Sequence, residues 1–135
     1  ILINGEEKFP ALLEEISRAR INIHLDYYII VDDGIGTKVI DLLCKKSEEG
    51  VKVRMIYDDV GSSISRKSLG KLKNHGVEVY AYMPVLFSRL AHKANYRNHR
   101  KLAVIDNETG FVGGININDK YINSKTIHLF FKLFN

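Results

Sequence analysis

Long apolar runs, cysteine pairs and tryptophan are all missing from this chain of 135 residues. No apolar run approaches the roughly 18 to 20 residues that a membrane-spanning helix needs, which argues against a bilayer span within the given sequence. The single cysteine, Cys44, excludes an internal disulfide, so packing must hold the fold together. Because Cys44 lies in a helical apolar pattern, we expect a buried core thiol rather than a reactive one.

Acidic residues are absent between Glu78 and Asp106, although the whole chain carries 16 of them and a net charge of +4. That stretch holds two histidines, His92 and His99, and several basic residues. The basic residues are Arg89, Lys93, Arg97, Arg100 and Lys101. A segment with one sign of charge attracts anions such as the phosphates of lipids or nucleic acids. A solvated basic loop explains the same composition equally well.

The overall composition, 45% apolar and 27% charged, is that of a globular chain with one core. Strand and helix periodicities alternate along its first 83 residues. Strands are predicted at 1–3, 21–31, 51–57 and 77–83, and helices at 9–19, 37–50 and 67–75, with Thr37 as the cap of the second helix. We therefore expect an α/β fold, with a mostly parallel mixed sheet flanked by helices.

The regular pattern fails between Pro84 and Asn98, which predicts a surface loop. Residues 101–106 and 111–113 then read as the two strands of a hairpin, with a turn at 107–110. From Asp119 onward no usable period remains, and the sequence predicts no element there.

His99 and Lys101 stand two residues apart at the start of a predicted strand, so their side chains should share one face. A neutral imidazole can attack phosphorus or exchange a proton, and an ammonium stabilises charge that develops on phosphoryl oxygens. Alone, such a pair is a weak signal. The longer pattern His99-x-Lys101-x4-Asp106-x6-Gly113-Gly114-x-Asn116 is much more specific.

This pattern resembles the HKD signature of the phospholipase D superfamily, and the surrounding sequence is similar to its cardiolipin synthase branch over residues 1–121. The resemblance implies that His99 attacks phosphorus or donates a proton, while Lys101 and Asn116 bind the phosphate. Asp106 matches the aspartate that the family counts with its catalytic residues. We expect a supporting structural role for Asp106, because its strand parity is opposite to that of the other two motif residues.

Gly113 and Gly114 also match the pattern, and the resemblance implies that they contact the phosphate. Without a Cβ, they would let backbone N–H groups approach it closely. An ordinary glycine turn is the alternative. The resemblance further implies a phosphatidyltransferase that joins phosphatidylglycerol units into cardiolipin through a phosphohistidine. Its partners would be anionic phospholipid and the membrane surface, on the cytoplasmic side of the cell membrane, and no metal or other cofactor is required.

Proteins of this branch use two such motifs, which meet in one active site, and this sequence contains one. The implied partner is a second HKD half, from a missing C-terminal region or from a homodimer. The lack of tryptophan and the composition of residues 122–135 predict a truncated chain. We expect residues 1–121 to form the half-domain and 122–135 to be an atypical tail that is not family sequence.

Two other functions remain open: a dimeric single-motif phosphodiesterase or nuclease that binds nucleic acid through the basic segment, and a catalytically inactive phosphate-binding domain.

The remaining polar residues are weaker candidates for a functional site. We expect surface or core positions for His24, His75, His92 and His128, packing for Tyr27 and Tyr28, and turns rather than metal ligands for the pairs Asp32-Asp33 and Asp58-Asp59.

Overall fold

The computed structural model describes residues 1–82, 84 and 99–134 of the chain. Within them, seven strands form one mixed sheet, together with three α-helices. The helices are α1 (Asn4–Arg18), α2 (Gly34–Glu48) and α3 (Arg66–Asn74). The strands are β1 (Leu2–Ile3), β2 (Asn22–Tyr27), β3 (Lys52–Asp58), β4 (Glu78–Tyr82), β5 (Lys101–Ile105), β6 (Thr109–Gly113) and β7 (Leu129–Phe134). Their order in the sheet is β1-β7-β6-β5-β2-β3-β4. None of the helices in these ranges is long and apolar enough to cross a membrane.

The expected α/β class with a mixed sheet is confirmed, but the share of parallel pairing is smaller than the sequence suggested. Of the six strand pairs in the described ranges, only β2–β3 and β3–β4 are parallel. Parallel neighbours need a crossover such as a helix, and α2 and α3 provide crossovers for these two pairs alone. The expected surface loop at 84–98, with three of the basic residues, lies outside the described residues except for Pro84.

The hydrophobic core includes buried residues from α1, α2 and the central strands, among them Leu12, Leu43, Ile23 and Met55. Cys44 is buried in this core, as its helical pattern predicted. Burial raises the pKa of the Cys44 thiol, which disfavours the reactive thiolate.

Helix α2 begins one turn earlier than the sequence indicated, and the cap predicted at Thr37 is wrong. Asp33 is the cap, and its Oδ1 accepts a hydrogen bond of 3.0 Å from the backbone N–H of Gly36. Its Oδ2 accepts a second bond, of 2.7 Å, from the backbone N–H of Asp119. Asp33 therefore joins the start of α2 to the segment that follows the Gly-Gly pair, in keeping with the turn role predicted for Asp32-Asp33.

The tail contributes a strand that the sequence did not predict. β7 lies between β1 and β6 and pairs antiparallel with both. Phe130 points into the core, with its ring centroid 6.3 Å from that of Phe111. The alternate residues Leu129, Phe131 and Leu133 are 46%, 42% and 55% exposed. The tail thus completes the sheet and leaves an apolar row uncovered, which favours association of the isolated chain.

Lys8 is a fully buried lysine on α1, and its Nζ has no hydrogen-bond partner among the described residues. Three aromatic rings surround this Nζ, with centroids at 4.4 Å for Phe9, 4.7 Å for Tyr27 and 5.0 Å for Phe130. Ring faces attract a cation, but they replace only part of the lost hydration. Burial therefore lowers the pKa of Lys8 well below its ordinary value.

Replacing Lys8 by methionine is expected to raise the free energy of unfolding at pH 7 by about 1–3 kcal/mol, the usual cost of an unpaired buried polar group. The pKa of Lys8 is lower in the folded than in the unfolded state, so the unfolded chain binds more protons. Wild-type stability should therefore rise as the pH increases towards the unfolded value of ~10.4, and the variant should lose this rise.

Urea unfolding at several pH values measures both effects of Lys8→Met. Lys45→Met, at an exposed position of α2, is the control and should change the free energy of unfolding by less than about 0.5 kcal/mol. A Lys8→Met chain that is less stable than wild type at every pH would contradict this account of the buried amine.

Candidate active site

His99 and Lys101 meet at the start of β5, where Lys101 pairs with Tyr27 of β2. The Nζ of Lys101 donates a hydrogen bond of 2.6 Å to the backbone carbonyl of His99. The exposed imidazole of His99 stacks on the ring of Tyr28, with centroids 4.4 Å apart and planes 18° from parallel. The Lys101 Nζ lies 5.4 Å from the centroid of the same ring. The two side chains predicted to share one substrate therefore both lie near the ring of Tyr28.

Lys101 is partly buried at this position, and desolvation lowers the pKa of its ammonium. A charge in partly desolvated surroundings acts on nearby groups more strongly than one in bulk water. A phosphate next to Lys101 would therefore feel a stronger field than it would beside a surface lysine.

Asn116 is buried, at 3% exposure, and its amide is engaged on both sides. Its Oδ1 accepts a bond of 3.1 Å from the backbone N–H of Ile29, and its Nδ2 donates one of 2.9 Å to the hydroxyl of Tyr121. Ile29 directly follows Tyr28, so the same short segment after β2 contacts Asn116 on one side and His99 on the other. An amide has a second N–H and a second lone pair, and the phosphate contact of Asn116 stays a prediction based on the resemblance.

Asp106 directly follows β5, at the opposite end of the strand from Lys101 and about 16 Å from it along the chain at ~3.3 Å per residue. Its carboxylate accepts hydrogen bonds of 2.7–3.1 Å from the backbone N–H groups of Arg20, Ile21 and Asn22, which lead into β2. Burial would raise the pKa of Asp106, but these bonds outweigh it and hold the pKa below its ordinary value. The contacts favour a structural role for Asp106 and give no support to its grouping with the catalytic residues.

The two glycines pack against β7. A Cβ on Gly113 would lie 2.5 Å from the carbonyl oxygen of Leu129 and 2.8 Å from the Cα of Phe130. The N–H of Gly114 donates a bond of 3.1 Å to the same Leu129 carbonyl. In this structure Gly113 is needed for a close approach of two strands, a reason that the sequence did not indicate. The phosphate contact of both glycines stays a prediction based on the resemblance.

The family described as "Cardiolipin synthase, PLD-like domain" matches residues 12–128, which is most of the chain. The chain belongs to this family. A curated relative, cardiolipin synthase 2 of Bacillus cereus, is 50% identical over 122 residues, which cover 90% of this chain and 24% of the relative. The chain therefore spans about a quarter of the length of the cardiolipin synthases that it matches.

Solved structures share the fold of this cardiolipin synthase-type domain at low sequence identity. The phospholipase D family member Nuc of Salmonella typhimurium superposes with a TM-score of 0.71 at 18% identity, covering 99% of this chain and 80% of Nuc. The phosphatidylserine synthase of Haemophilus influenzae gives a TM-score of 0.74 at 16% identity, covering 96% of this chain and 31% of the synthase. These likenesses support the phospholipase D-like fold that the HKD pattern predicted.

Two tyrosines of the domain have site contacts that sequence reasoning missed. Tyr28 was expected to serve packing like its neighbour Tyr27, which is indeed buried in the core, but Tyr28 lies against both motif side chains. Tyr121 holds the amide of Asn116. The position of Tyr28, one residue beyond the strand that pairs with Lys101, was a signal that could have indicated the first contact.

Proposed function

We propose that this chain provides one half-site of a phosphatidyltransferase of the cardiolipin synthase type, which joins two phosphatidylglycerol molecules and releases glycerol. The observation that carries the proposal is the 50% identity to a cardiolipin synthase over 90% of the chain. The proximity of His99 and Lys101 supports it, since this reaction needs a nucleophile or proton donor beside a cation. Because donor and product are lipids, we place the reaction at a membrane surface. The cytoplasmic side is proposed on the family resemblance alone.

In the proposed first step, the imidazole of His99 attacks the phosphorus of one phosphatidylglycerol. A nitrogen–phosphorus bond forms and the bond from phosphorus to the glycerol oxygen breaks, while a second histidine protonates that oxygen. Lys101 stabilises the charge on the phosphoryl oxygens. In the second step, a hydroxyl of another phosphatidylglycerol attacks the phosphorus, gives its proton to the second histidine and releases His99. The two histidines can exchange these roles without changing the balance.

One His99 cannot stand on both sides of the phosphorus, so the proposal requires a second half-site. We propose that it comes from further sequence of a longer polypeptide, or from a second copy in a symmetric dimer that uses the same patch on both chains. Residues 1–121 would then carry the half-site, and residues 122–135 would be a tail of atypical sequence, although its strand β7 belongs to the same sheet.

The proposal is tested by comparing the isolated chain with a chimera in which it replaces the matching 122-residue segment of the Bacillus cereus relative. With phosphatidylglycerol vesicles as substrate, the chimera should form cardiolipin and glycerol, whereas the monomeric chain should form neither. Light scattering at each protein concentration gives the mass of the species assayed.

Three results would count against this function. Robust turnover by a species shown to be monomeric would refute the half-site. Turnover that rises with the dimer fraction, together with cleavage of DNA rather than lipid, would favour a dimeric phosphodiesterase. A folded chimera that binds phosphatidylglycerol vesicles without any turnover would favour an inactive phosphate-binding domain.

A further inference from the structure

Tyr28 lies where β2 ends and touches both motif side chains that precede and begin β5. Its backbone N–H donates a hydrogen bond of 2.8 Å to the carbonyl of Arg100, the residue between His99 and Lys101. Its ring faces the His99 imidazole at 4.4 Å and has the Lys101 ammonium 5.4 Å from its centroid. One residue therefore contacts the HKD segment through its backbone and through its side chain.

The ring of Tyr28 is also fixed by the loop between β3 and α3. A Cβ on Gly61 would lie only 2.9 Å from the Tyr28 Cε2 and 3.0 Å from the Tyr28 carbonyl oxygen, so the Gly61 backbone packs directly against this residue. The Oγ of Ser62 donates to the Tyr28 carbonyl at 3.3 Å. Asp58 holds the loop in place, because its Oδ1 accepts bonds of 3.0 and 2.7 Å from the N–H groups of Val60 and Gly61.

Stacking on the Tyr28 ring restricts the His99 imidazole more than a position near the start of a strand would by itself. An exposed histidine ordinarily samples several rotamers. Stacking on a fixed ring selects the rotamers in which the two ring planes are nearly parallel. Stacking places the Tyr28 ring over a face of the imidazole and not against its edge, which carries both nitrogens. The hydrogen bond from Lys101 to the His99 carbonyl fixes the backbone of the same residue.

We propose that Tyr28 is the positioning residue of this half-site, a platform that orients His99 and Lys101 for in-line attack. This proposal rests on the phosphatidyltransferase function proposed above and adds a residue outside the HKD pattern to it. Gly61 acts on the histidine indirectly, because its lack of a side chain leaves room for the Tyr28 ring. The stack on His99 and the backbone hydrogen bond of Tyr28 do not involve its hydroxyl, so phenylalanine should serve in place of tyrosine.

NMR of the ring protons of His99 in the 135-residue chain tests the platform without any assay of activity. The Tyr28 ring current should move these resonances upfield, and Tyr28→Phe should keep this displacement, whereas Tyr28→Leu should abolish it. The matched controls are Tyr80→Phe and Tyr80→Leu, at an exposed tyrosine of β4, which should leave the His99 resonances unchanged. Unchanged resonances of His75, at the C-terminal end of α3, verify that each variant is folded.

Kinetics in the chimera test the functional consequence. Because small misplacements of reacting groups cost up to ~10²-fold in rate, Tyr28→Leu should lower kcat by about 10- to 100-fold with a smaller change in KM, and Tyr28→Phe should restore kcat. Gly61→Ala, which presses on the Tyr28 ring, should lower kcat in the same direction.

The two proposals fail in different ways. His99 resonances that are identical in wild type and Tyr28→Leu, or a wild-type kcat in Tyr28→Leu, would overturn the positioning role while leaving the phosphatidyltransferase function intact. Full turnover in His99→Ala would overturn the function, even if the NMR displacement confirmed the stack.

Discussion

Replacing His99 by alanine is expected to abolish cardiolipin formation in the chimera while leaving the fold intact. The imidazole is exposed and stacks on Tyr28 at the edge of the domain, so its removal opens no cavity in the core. Loss of general acid–base catalysis alone lowers rates by about 10²- to 10⁴-fold, and loss of covalent catalysis adds to this. The measurement is the rate of glycerol release from phosphatidylglycerol vesicles, with circular dichroism to verify folding.

Lys101→Ala should cause a loss of similar size, because Lys101 supplies the charge that the transition state needs at its phosphoryl oxygens. The matched control is His75→Gln at the C-terminal end of α3, where the side chain contacts the carbonyl of Lys71 rather than either motif residue. This variant should keep wild-type turnover. If His99→Ala also retained it, the assignment of His99 would be wrong.

Replacing Asp106 by alanine is expected to lower the free energy of unfolding by about 3 kcal/mol. Three backbone N–H groups that lead into β2 would lose a charged acceptor, and a hydrogen bond to a charged group has a net worth of about 1.5–3 kcal/mol. Arg20 and Ile21 are exposed, so water can hydrogen-bond to their N–H groups in the variant, and we expect a total near the upper value for one such bond. Alanine would also be strained at this position, since the φ of Asp106 is 54°, in the left-handed region. Urea unfolding at pH 7 measures the change.

The contribution of Asp106 should also depend on pH. The pKa of this carboxyl is lower in the folded chain than its ordinary value, so the stabilisation is complete above the unfolded pKa of ~3.9 and is lost as the pH falls through the folded value. The difference between wild type and Asp106→Ala should therefore shrink in acid. Asp106→Asn, which tolerates the backbone angle and retains one acceptor, should lie between the two.

Glu108→Ala, at an exposed position of the same turn, is the control for Asp106→Ala and should change the free energy of unfolding by less than about 0.5 kcal/mol. A loss as large as that of Asp106→Ala would mean that any carboxylate of the turn contributes, and would contradict the specific role of the three backbone bonds.

The elements with clear periodicity could be predicted from the sequence, because burial of one face imposes a period on the residues that form it. The helix around Leu12 and the strand around Met55 are examples. β7 could not be predicted in this way. Its core contact is made by Phe130 with a neighbouring Phe131 on the open side, so apolar residues occupy both faces and no alternation marks the strand.

The candidate site was only partly accessible to sequence reasoning. Strand parity indicated that Asp106 differs from His99 and Lys101, since parity is a local property. The stack of Tyr28 on His99 joins residues that flank different strands, and pairing between strands distant in sequence leaves no trace in either segment alone. The same holds for Gly113, whose lack of a Cβ matters because β7 lies against it.

The position of β7 between β1 and β6 also determines the order in which the chain can complete its sheet. Leu2 pairs with Phe130, so the first strand has no neighbour until the last one has been synthesised. Closing so long a loop is slow, whereas β2, β3 and β4 are joined by short crossovers and can pair earlier. During synthesis, β1 would therefore remain without a strand partner until β7 has been made, and this interval is when a chaperone would find its binding site.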